Sequence, residues 1–273
     1  MLTPLNPRIT RWQDRRVWIV GASSGIGAAL ARELLARGAR VALSARREEP
    51  LRELAGPALG EGRALVQPLD VLDASAVRAA HQAVLEQWHG IDLVVWVAGT
   101  YQSMRAFDFD LAAARRIMQV NVDGLLNGLA CVLPMLISQR AGAIGIVSSV
   151  AGYGGLPRAL VYGPSKAALN NLAQSLYLDL HPIGVGVHLI NPGFVETPLT
   201  DLNDFEMPAL MPVDAAARRM IEGFERGHFE IHFPRRFTLA LKLLSLLPHR
   251  LYFALVGRIT GARPAATTQT AAP

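Results

Sequence analysis

The sequence predicts an α/β fold, a doubly wound parallel β-sheet of about seven strands with helices on both faces. Short apolar runs alternate with segments in which apolar residues recur at helical spacing, the pattern of repeated strand–helix units. The first apolar run, at 17–20, leads into a glycine-rich turn and then into a helical pattern at 28–37. A hydrophobic fraction of 51% against 18% charged residues indicates a large buried core and excludes a disordered chain.

The glycine-rich turn after the first strand, G-A-S-S-G-I-G, indicates a phosphate-binding site. Strand, glycine turn and helix in this order form the context that a nucleotide phosphate requires. Gly21 permits the tight turn, Gly25 lets backbone N–H groups approach a pyrophosphate, and Gly27 lets the helix pack close to the sheet. The other candidate contacts in the turn are Ser23, Ser24 and Ile26.

A second motif, Y-G-P-S-K-A-A, places Tyr162 and Lys166 one helical turn apart at the start of an apolar-periodic segment. A fixed ammonium beside a phenol favours the phenolate and lowers the tyrosine pKa from its usual ~10, so the pair predicts a general acid/base. Ser149 stands thirteen residues before the tyrosine, at the end of the apolar run A-I-G-I-V, where its hydroxyl can bind a substrate oxygen. Alone, the Tyr–Lys spacing is a weak signal, because any helix can carry these residues.

Taken together and in this order, the motifs resemble those of the short-chain dehydrogenase/reductase family over about residues 15–232. The glycines match the family's G-x-x-x-G-x-G, Ser149, Tyr162 and Lys166 match its catalytic residues, and Asn121, in N-V-D-G, matches its helix asparagine. The resemblance implies a Rossmann-type fold and an NAD(P)(H)-dependent oxidoreductase acting on a carbonyl or secondary alcohol. Tyr162 would be the general acid/base, Lys166 would also hold the ribose, Ser149 would orient the substrate oxygen, and Asn121 would hold a water that relays protons. Further cofactor contacts carried over from the family are Asp70, Val71, Ala98, Gly99, Pro192, Gly193, Val195 and Thr197.

Two motifs depart from the family pattern, at three positions. Val20 replaces a threonine that usually begins the glycine motif, which removes one hydroxyl but leaves the backbone amides and helix dipole that attract phosphate. W-V-A-G replaces N-N-A-G, whose asparagines brace the sheet near the cofactor. We expect Trp96 and Val97 to fill that space with apolar packing.

The second strand ends in A-R-R and bears on the choice of cofactor. In dinucleotide folds an acid about 20 residues beyond the glycines binds the ribose 2′-hydroxyl, whereas an arginine accommodates a 2′-phosphate. Arg46 and Arg47 stand at this position, and the first acid after them is Glu48. A solvated arginine pair at a strand end is the alternative explanation. We predict NADP(H) in preference to NAD(H), with Arg46 as the phosphate contact.

The remaining elements follow in chain order. Strands are predicted at 17–20, 40–44, 64–69, 91–97, 143–147, 185–190 and 229–233. Asp73 is expected to cap the helix after it, and Pro134 is expected to kink or shorten a long helix at 111–138. We predict one catalytic domain at 1–233 that contains both the cofactor and substrate sites, with residues 1–14 as a loosely held arm. A helical appendage follows at 234–258, and a disordered tail at 259–273.

The appendage is amphipathic at 235–257. Thr238, Lys242, Ser245 and His249 form a narrow polar stripe. The opposite, broad surface carries Phe237, Leu241, Leu244, Leu247, Leu251 and Leu255. Lys242 and the Pro-His-Arg interruption disfavour a membrane span. Two interpretations remain open: a pair of interfacial helices hinged at Pro248, or a face that packs on a partner subunit or covers the substrate entrance.

Composition excludes several classes of function. The net charge of +5 and pI of about 9.9 come from arginines spread over many elements, which argues against nucleic acid. His228 and His232 would lie roughly 13 Å apart on a strand, too far apart to share a metal ion. Cys131 is the sole cysteine, so no intrachain disulfide is possible. With no apolar signal core at the N-terminus, we expect a cytoplasmic protein, and the interfacial interpretation of the appendage would place it on the cytoplasmic face of a membrane.

Apolar loops at 100–109, 152–160 and 198–212 favour a small hydrophobic ketone, aldehyde or secondary alcohol as substrate. Met207 and Met211 belong either to a flexible lid or to the core. A homodimer or homotetramer is expected. Two other functions remain: a non-catalytic NADP(H)-binding regulator or scaffold, against which the complete Ser, Tyr, Lys and Asn set argues, and an epimerase or dehydratase.

Overall fold

The computed structural model describes residues 3–200 and 207–260 and contains a seven-stranded parallel sheet, which confirms the predicted fold class. The strands are β1 (Arg16–Val20), β2 (Arg40–Ser44), β3 (Ala64–Val66), β4 (Leu93–Trp96), β5 (Ala143–Val147), β6 (Gly186–Pro192) and β7 (Glu230–Phe233). The helices are α1 (Gly25–Ala36), α2 (Glu48–Ala55), α3 (Pro57–Gly60), α4 (Ala74–Trp88), α5 (Leu111–Met118), α6 (Gly124–Gln139), α7 (Tyr162–Leu180), α8 (Val213–Arg226), α9 (Arg235–Ser245) and α10 (His249–Thr260). As predicted, Asp73 caps α4 by accepting from two backbone N–H groups.

The strand order is β3-β2-β1-β4-β5-β6-β7, so the chain reverses its direction of travel across the sheet between β1 and β4. Such a switch point opens a crevice at the carboxyl ends of the strands, where ligands bind in open α/β sheets. The last paired residues of the two strands there are Val20 and Trp96. The glycine turn and the W-V-A-G segment therefore meet at one edge of the crevice.

Two hydrophobic cores cover the two faces of the sheet. On one face, Ile19 of β1 packs with Leu34 of α1 and Phe224 of α8. On the other face, Trp18 packs with residues of α4, α6 and α7, among them Leu129. Successive strand residues point to opposite faces, so the part of a strand that is buried on both faces must be apolar, as residues 17–20 of β1 are.

Trp96 stands where the family has an asparagine, and its ring fills the space by apolar packing. It is 2% exposed, and its ring meets Trp18 edge to face at 6.4 Å between centroids. Gly128 of α6 lies directly against this ring, since a Cβ there would be 2.2 Å from Trp96 Cζ3. Val97 packs against the core on the other face. The expected apolar filling is confirmed for both residues.

The long helix runs from Leu111 to Gln139, but its irregularity does not lie at Pro134. Pro134 is inside α6, which continues beyond it to Gln139, so the expected shortening is wrong. The helix instead widens into a π-helical segment at Gln119–Asp123. The whole helix is long and apolar enough to cross a membrane, yet Leu125 and similar residues bury one face in the second core. We therefore assign it as a core helix.

The N-terminal arm is firmly anchored, which contradicts the expectation of a loose one. Asn6 is 2% exposed, and its side chain donates to Val187 O at 2.7 Å and accepts from Val187 N at 2.9 Å. The same amide donates to His228 O at 3.2 Å. Trp12 is buried and donates to Glu225 at 2.9 Å. These polar contacts hold the arm across the edge of β6 and the end of α8.

The appendage consists of two helices on either side of Pro248, as the hinge interpretation expected. Only the first half of its polar stripe faces the protein, since Ser245 and His249 are exposed. Thr238 is fully buried and its hydroxyl lies 2.6 Å from His232 Nδ1. Lys242 forms an ion pair with Glu230 of β7. Helix α10 extends to Thr260, so the first two residues of the predicted tail are helical, and 261–273 lie outside the described residues.

Candidate active site

A cavity of about 760 Å³ occupies the crevice at the carboxyl ends of the strands. The predicted cofactor contacts that line it are Gly21, Ser23, Ser24, Gly25, Ile26, Arg46, Asp70, Val71, Ala98, Gly99, Tyr162, Lys166, Pro192, Gly193, Val195 and Thr197. Gly27 does not line it, and neither does Asn121. Its volume lies within the usual range for small-molecule and cofactor sites.

The glycine turn is shaped by backbone conformations and close approaches that exclude side chains. Gly21 has φ of +98°, and a Cβ on it would be 2.5 Å from Ala98 N. A Cβ on Gly27 would be 2.1 Å from Gly21 O, so Gly27 seats α1 against the turn rather than facing the cavity. Ser24, the N-cap of α1, makes no side-chain capping bond. The first N–H groups of the helix are thus left without a side-chain cap beside the cavity, an arrangement that suits a phosphate.

Tyr162, Lys166 and Ser149 converge on the cavity. Tyr162 is the first residue of α7, and Lys166 follows one turn later with its Nζ 5.6 Å from the tyrosine ring centroid. Lys166 is 4% exposed and donates to Val147 O at 3.1 Å. Ser149 is held at the end of β5, where its hydroxyl accepts from Ala151 N at 3.1 Å. Strand β5 and helix α7 therefore fix the three predicted catalytic residues independently of a ligand.

Burial is the largest influence on the pKa values of Tyr162 and Lys166. It raises the pKa of the Tyr162 phenol to about 12, while the Ser149 hydroxyl acts in the opposite direction. Burial also lowers the pKa of Lys166 to about 8. The expectation that Lys166 lowers the tyrosine pKa is wrong for the protein alone, because desolvation of the phenol outweighs an ammonium placed beside its ring. Near neutral pH, Tyr162 is protonated and Lys166 is mostly cationic.

Asn121 sits in the π-helical segment and braces the cavity wall from behind. It is 1% exposed; its Oδ1 accepts from Thr100 N at 2.7 Å, and its Nδ2 donates to Thr100 O at 3.0 Å and to Ser165 Oγ at 2.9 Å. A Cβ on Gly99 would lie 3.2 Å from Asn121 Oδ1 and 3.4 Å from Lys166 Nζ. The Asn121 amide and the Lys166 ammonium therefore both lie next to Gly99, which lines the cavity. The proton-relay role of Asn121 stays a prediction.

Three arginines line the cavity. Arg46 and Arg47 follow the end of β2, and Arg116 belongs to α5. Among the described residues, none of the three guanidinium groups forms an ion pair with a carboxylate. Among the described lining residues Asp70 is the one carboxylate, and it accepts a hydrogen bond from Leu72 N at 3.0 Å. Sequence reasoning missed Arg116, because a helical arginine with no motif around it looks like ordinary surface.

The substrate side of the cavity is bordered by paired loops. Tyr101 packs edge to face on Tyr162 at 5.0 Å between ring centroids. Met104 is buried and pairs with Ala159, which joins the loops predicted at 100–109 and 152–160. Met211 pairs with Val195 and packs against the core, so this methionine is held rather than free. Residues 201–206 of the third predicted loop lie outside the described residues.

The appendage touches the same region. Phe237 of α9 packs on Phe194 at 5.9 Å between ring centroids, and a Cβ on Gly193 would be 3.0 Å from its ring. Glu230 accepts from Tyr153 at 2.6 Å and pairs with Lys242 of α9. Burial alone would raise the pKa of the Glu230 carboxyl, but its hydrogen bonds with Lys242, Tyr153 and Asn191 lower it overall. Helix α9 therefore contacts the turn at Gly193 and Phe194 directly, and it is linked to Tyr153 through Glu230.

Comparison with known proteins gives consistent matches. The model of a family described as short chain dehydrogenase matches residues 15–206. An uncharacterized oxidoreductase of Myxococcus xanthus is 37% identical over 247 residues, which cover 90% of this chain and 97% of that protein. The human dehydrogenase/reductase SDR family member 7 is 34% identical over 206 residues, or 70% of this chain and 60% of that protein.

Solved structures share the fold. A short chain dehydrogenase from Burkholderia cenocepacia, in complex with NADP, superposes with a TM-score of 0.79 and 26% identity over 90% of this chain and 98% of that one. Actinorhodin polyketide ketoreductase with NADPH gives a TM-score of 0.72 and 24% identity over 80% and 95% of the two chains. At that identity the second likeness shows the fold alone. The residues matched by the family model include the glycine turn, Ser149, Tyr162 and Lys166.

Proposed function

The chain belongs to the short-chain dehydrogenase family of oxidoreductases, and we propose that it uses NADP(H) to interconvert a carbonyl and a secondary alcohol on a hydrophobic substrate. The cofactor preference is supported by Arg46, Arg47 and Arg116, which line the cavity without carboxylate partners among the described residues. A 2′-phosphate adds charge that an arginine accommodates, whereas a ribose 2′-hydroxyl is usually held by an acid.

The residues of the cavity fit such a cofactor. The glycine turn and the start of α1 would hold the pyrophosphate, and Lys166 would hold the nicotinamide ribose. When bound, the reduced cofactor supplies a hydride to a carbonyl carbon. The protein supplies the proton and orients the carbonyl group of the substrate. Ser149 donates a hydrogen bond to the carbonyl oxygen, and Tyr162, which is protonated at neutral pH, donates its phenolic proton to that oxygen.

Lys166 assists this proton transfer because its ammonium stabilises the phenolate that Tyr162 leaves behind. Asn121 is proposed to hold the relay water that the resemblance implies, although its side chain lies outside the cavity lining and bonds to Thr100 and Ser165. In the oxidation direction the same phenolate accepts the alcohol proton. The other proposed roles belong to residues that line the cavity.

The proposed substrate class is supported by the aromatic ring of Tyr101, which packs on the ring of Tyr162. A homodimer or homotetramer is proposed on the basis of the family, and the exposed Leu126 of α6 is compatible with a subunit contact. The proposed cytoplasmic location is compatible with a single half-buried cysteine, Cys131.

The catalytic proposal is tested with Tyr162→Phe, which preserves packing but removes the transferable proton. Turnover of a panel of lipid-like, steroid-like and sugar-like ketones should fall by roughly 100- to 10,000-fold, while NADPH still binds. Equal turnover by wild type and variant across the pH range would reject Tyr162 as the acid. Binding of NADPH without turnover of any compound would instead favour a regulatory protein.

The cofactor proposal is tested separately by titrating NADPH and NADH into the wild type and into Arg46→Asp. We expect the wild type to prefer NADPH and the variant to shift towards NADH, because the substitution removes a phosphate partner and adds a ribose acceptor. Arg115→Asp is the matched control, since Arg115 is exposed on α5 and lies outside the cavity lining. A wild type that already prefers NADH contradicts the proposal.

A further inference from the structure

The appendage exposes an apolar face that the rest of the described protein leaves uncovered. Exposed leucines recur on α9 at helical spacing, with Leu243 66% and Leu246 80% exposed. On α10, Phe253 is 64% and Ile259 74% exposed. The full set of exposed large apolar residues here is Leu239, Leu243, Leu246, Leu251, Phe253, Leu255 and Ile259. Single exposed leucines are ordinary, but a cluster confined to one short segment marks an interaction surface.

Polar anchors fix the orientation of this face. Thr238 and Lys242 lie one turn apart on the inward side of α9, where Thr238 meets His232 and Lys242 pairs with Glu230. On α10, Tyr252 is buried and its hydroxyl donates to Gly155 O at 2.7 Å. Rotating either helix to hide its leucines would break these contacts and expose their partners. The outward direction of the apolar residues is therefore set by the packing of the catalytic domain.

The charge around the face has a single sign. Arg235, Arg236, Arg250 and Arg258 are exposed on the appendage, and the sequence of 235–260 contains no aspartate or glutamate. An exposed apolar face bordered by arginines is typical of helices that lie in a membrane interface, where leucines enter the acyl boundary and arginines meet anionic head groups.

From these observations we propose that the outward face of α9 and α10 docks on the surface of an anionic lipid bilayer. A second copy of the chain fits less well, because a two-fold contact sets the same surface against itself and so sets arginines against arginines with no acid in the segment to pair with them. An anionic bilayer can contact both parts of this surface, because its acyl region accepts the apolar side chains and its head groups pair with the arginines. The helices lie in the interface plane, since each is too short to cross the hydrocarbon core.

The test is sedimentation of the full chain with vesicles of phosphatidylcholine, with and without phosphatidylserine. We expect binding that requires phosphatidylserine and weakens with added salt. The double variant Leu243→Glu, Leu246→Glu should lower the partition coefficient at least tenfold, because burial of even one leucine accounts for roughly that factor. Leu178→Glu is the matched control, since Leu178 is 73% exposed but lies on α7 outside the appendage.

Light scattering on the same samples measures the oligomeric state, and so distinguishes a lipid surface from a second copy of the chain as the partner of this face. Vesicle binding that is lost only in the double variant, at unchanged subunit stoichiometry, supports the proposal. If the wild type does not sediment with vesicles and the double variant dissociates an oligomer, the face is a subunit interface and the proposal is overturned. Binding equally reduced by Leu178→Glu would overturn it as well. Circular dichroism and ketone turnover confirm that each variant is folded, since these leucines touch neither the core nor the cavity.

Discussion

Replacing Lys166 with methionine should stabilise the cofactor-free protein at neutral pH while removing its activity. Lys166 is 4% exposed, and burial lowers its pKa from 10.5 to about 8, so folding disfavours its charged form. At ~1.4 kcal/mol per pKa unit, the cost is about 3 kcal/mol at pH 7. Methionine fills similar volume and forfeits the bond to Val147 O, a loss of about 1 kcal/mol. The net gain in the free energy of unfolding is therefore about 2 kcal/mol.

The pH dependence of that gain identifies its cause. Because the folded pKa of Lys166 lies below the unfolded value, the unfolded chain binds more protons between about pH 8 and 10.5, and wild-type stability rises with pH across this window. The advantage of Lys166→Met should shrink over the same window and disappear near its upper end. Urea unfolding of the cofactor-free proteins at several pH values measures this difference.

Tyr162→Phe is the control for the lysine variant, because it removes a catalytic group from the same site without removing a buried ammonium. It should show no stability gain that depends on pH between about 8 and 9, because the phenol begins to titrate in the unfolded chain only near pH 10. If Lys166→Met is less stable than the wild type at pH 7, or more stable by an amount that does not change with pH, the argument from burial of the lysine charge is wrong.

Three further predictions concern separate parts of the molecule. NADPH affinity, measured by calorimetry, should fall as pH rises through about 8, because Lys166 then loses the charge proposed to hold the ribose; a flat profile would contradict this. Gly128→Ala should lower the free energy of unfolding by about 1–3 kcal/mol through its clash with Trp96, and Trp96→Leu in the same chain should recover part of the loss in thermal unfolding. Glu230→Gln should speed hydrogen exchange in α9 by roughly tenfold or more, because the ammonium of Lys242 loses its carboxylate; unchanged exchange would show that the pair does not anchor the helix.

The sequence was most informative where local chemistry alone decides the structure. Gly21 adopts a positive φ that other residues disfavour, and the spacing of Tyr162 and Lys166 follows from one helical turn. Strands β4 and β5 were predictable because a strand buried on both faces must be apolar throughout. Asp73 likewise caps its helix through bonds that span only three residues.

The errors arose where a distant part of the chain decides the outcome. Asn6 is polar and near the terminus, yet bonds to Val187 bury it. The pKa of Tyr162 depends on how deeply the folded protein buries the phenol, which spacing along the helix does not reveal. The effect of Pro134 on helix length was misjudged, because α6 continues past it to Gln139. Helical periodicity predicted that Thr238 lies on a polar stripe. Only its contact with His232 of β7 shows that this side chain faces the protein.

The anchored N-terminal arm also has a consequence for synthesis on the ribosome. Asn6 reaches its partners only across 181 residues to Val187 and 222 residues to His228. At about 5–20 residues per second, these partners are polymerised roughly 10–40 s after Asn6 itself. Throughout that interval Asn6 has no binding site, while β1 and α1 can already begin local structure. Docking of Asn6 must therefore follow the synthesis of β6 and β7, so this contact forms late in folding on the ribosome.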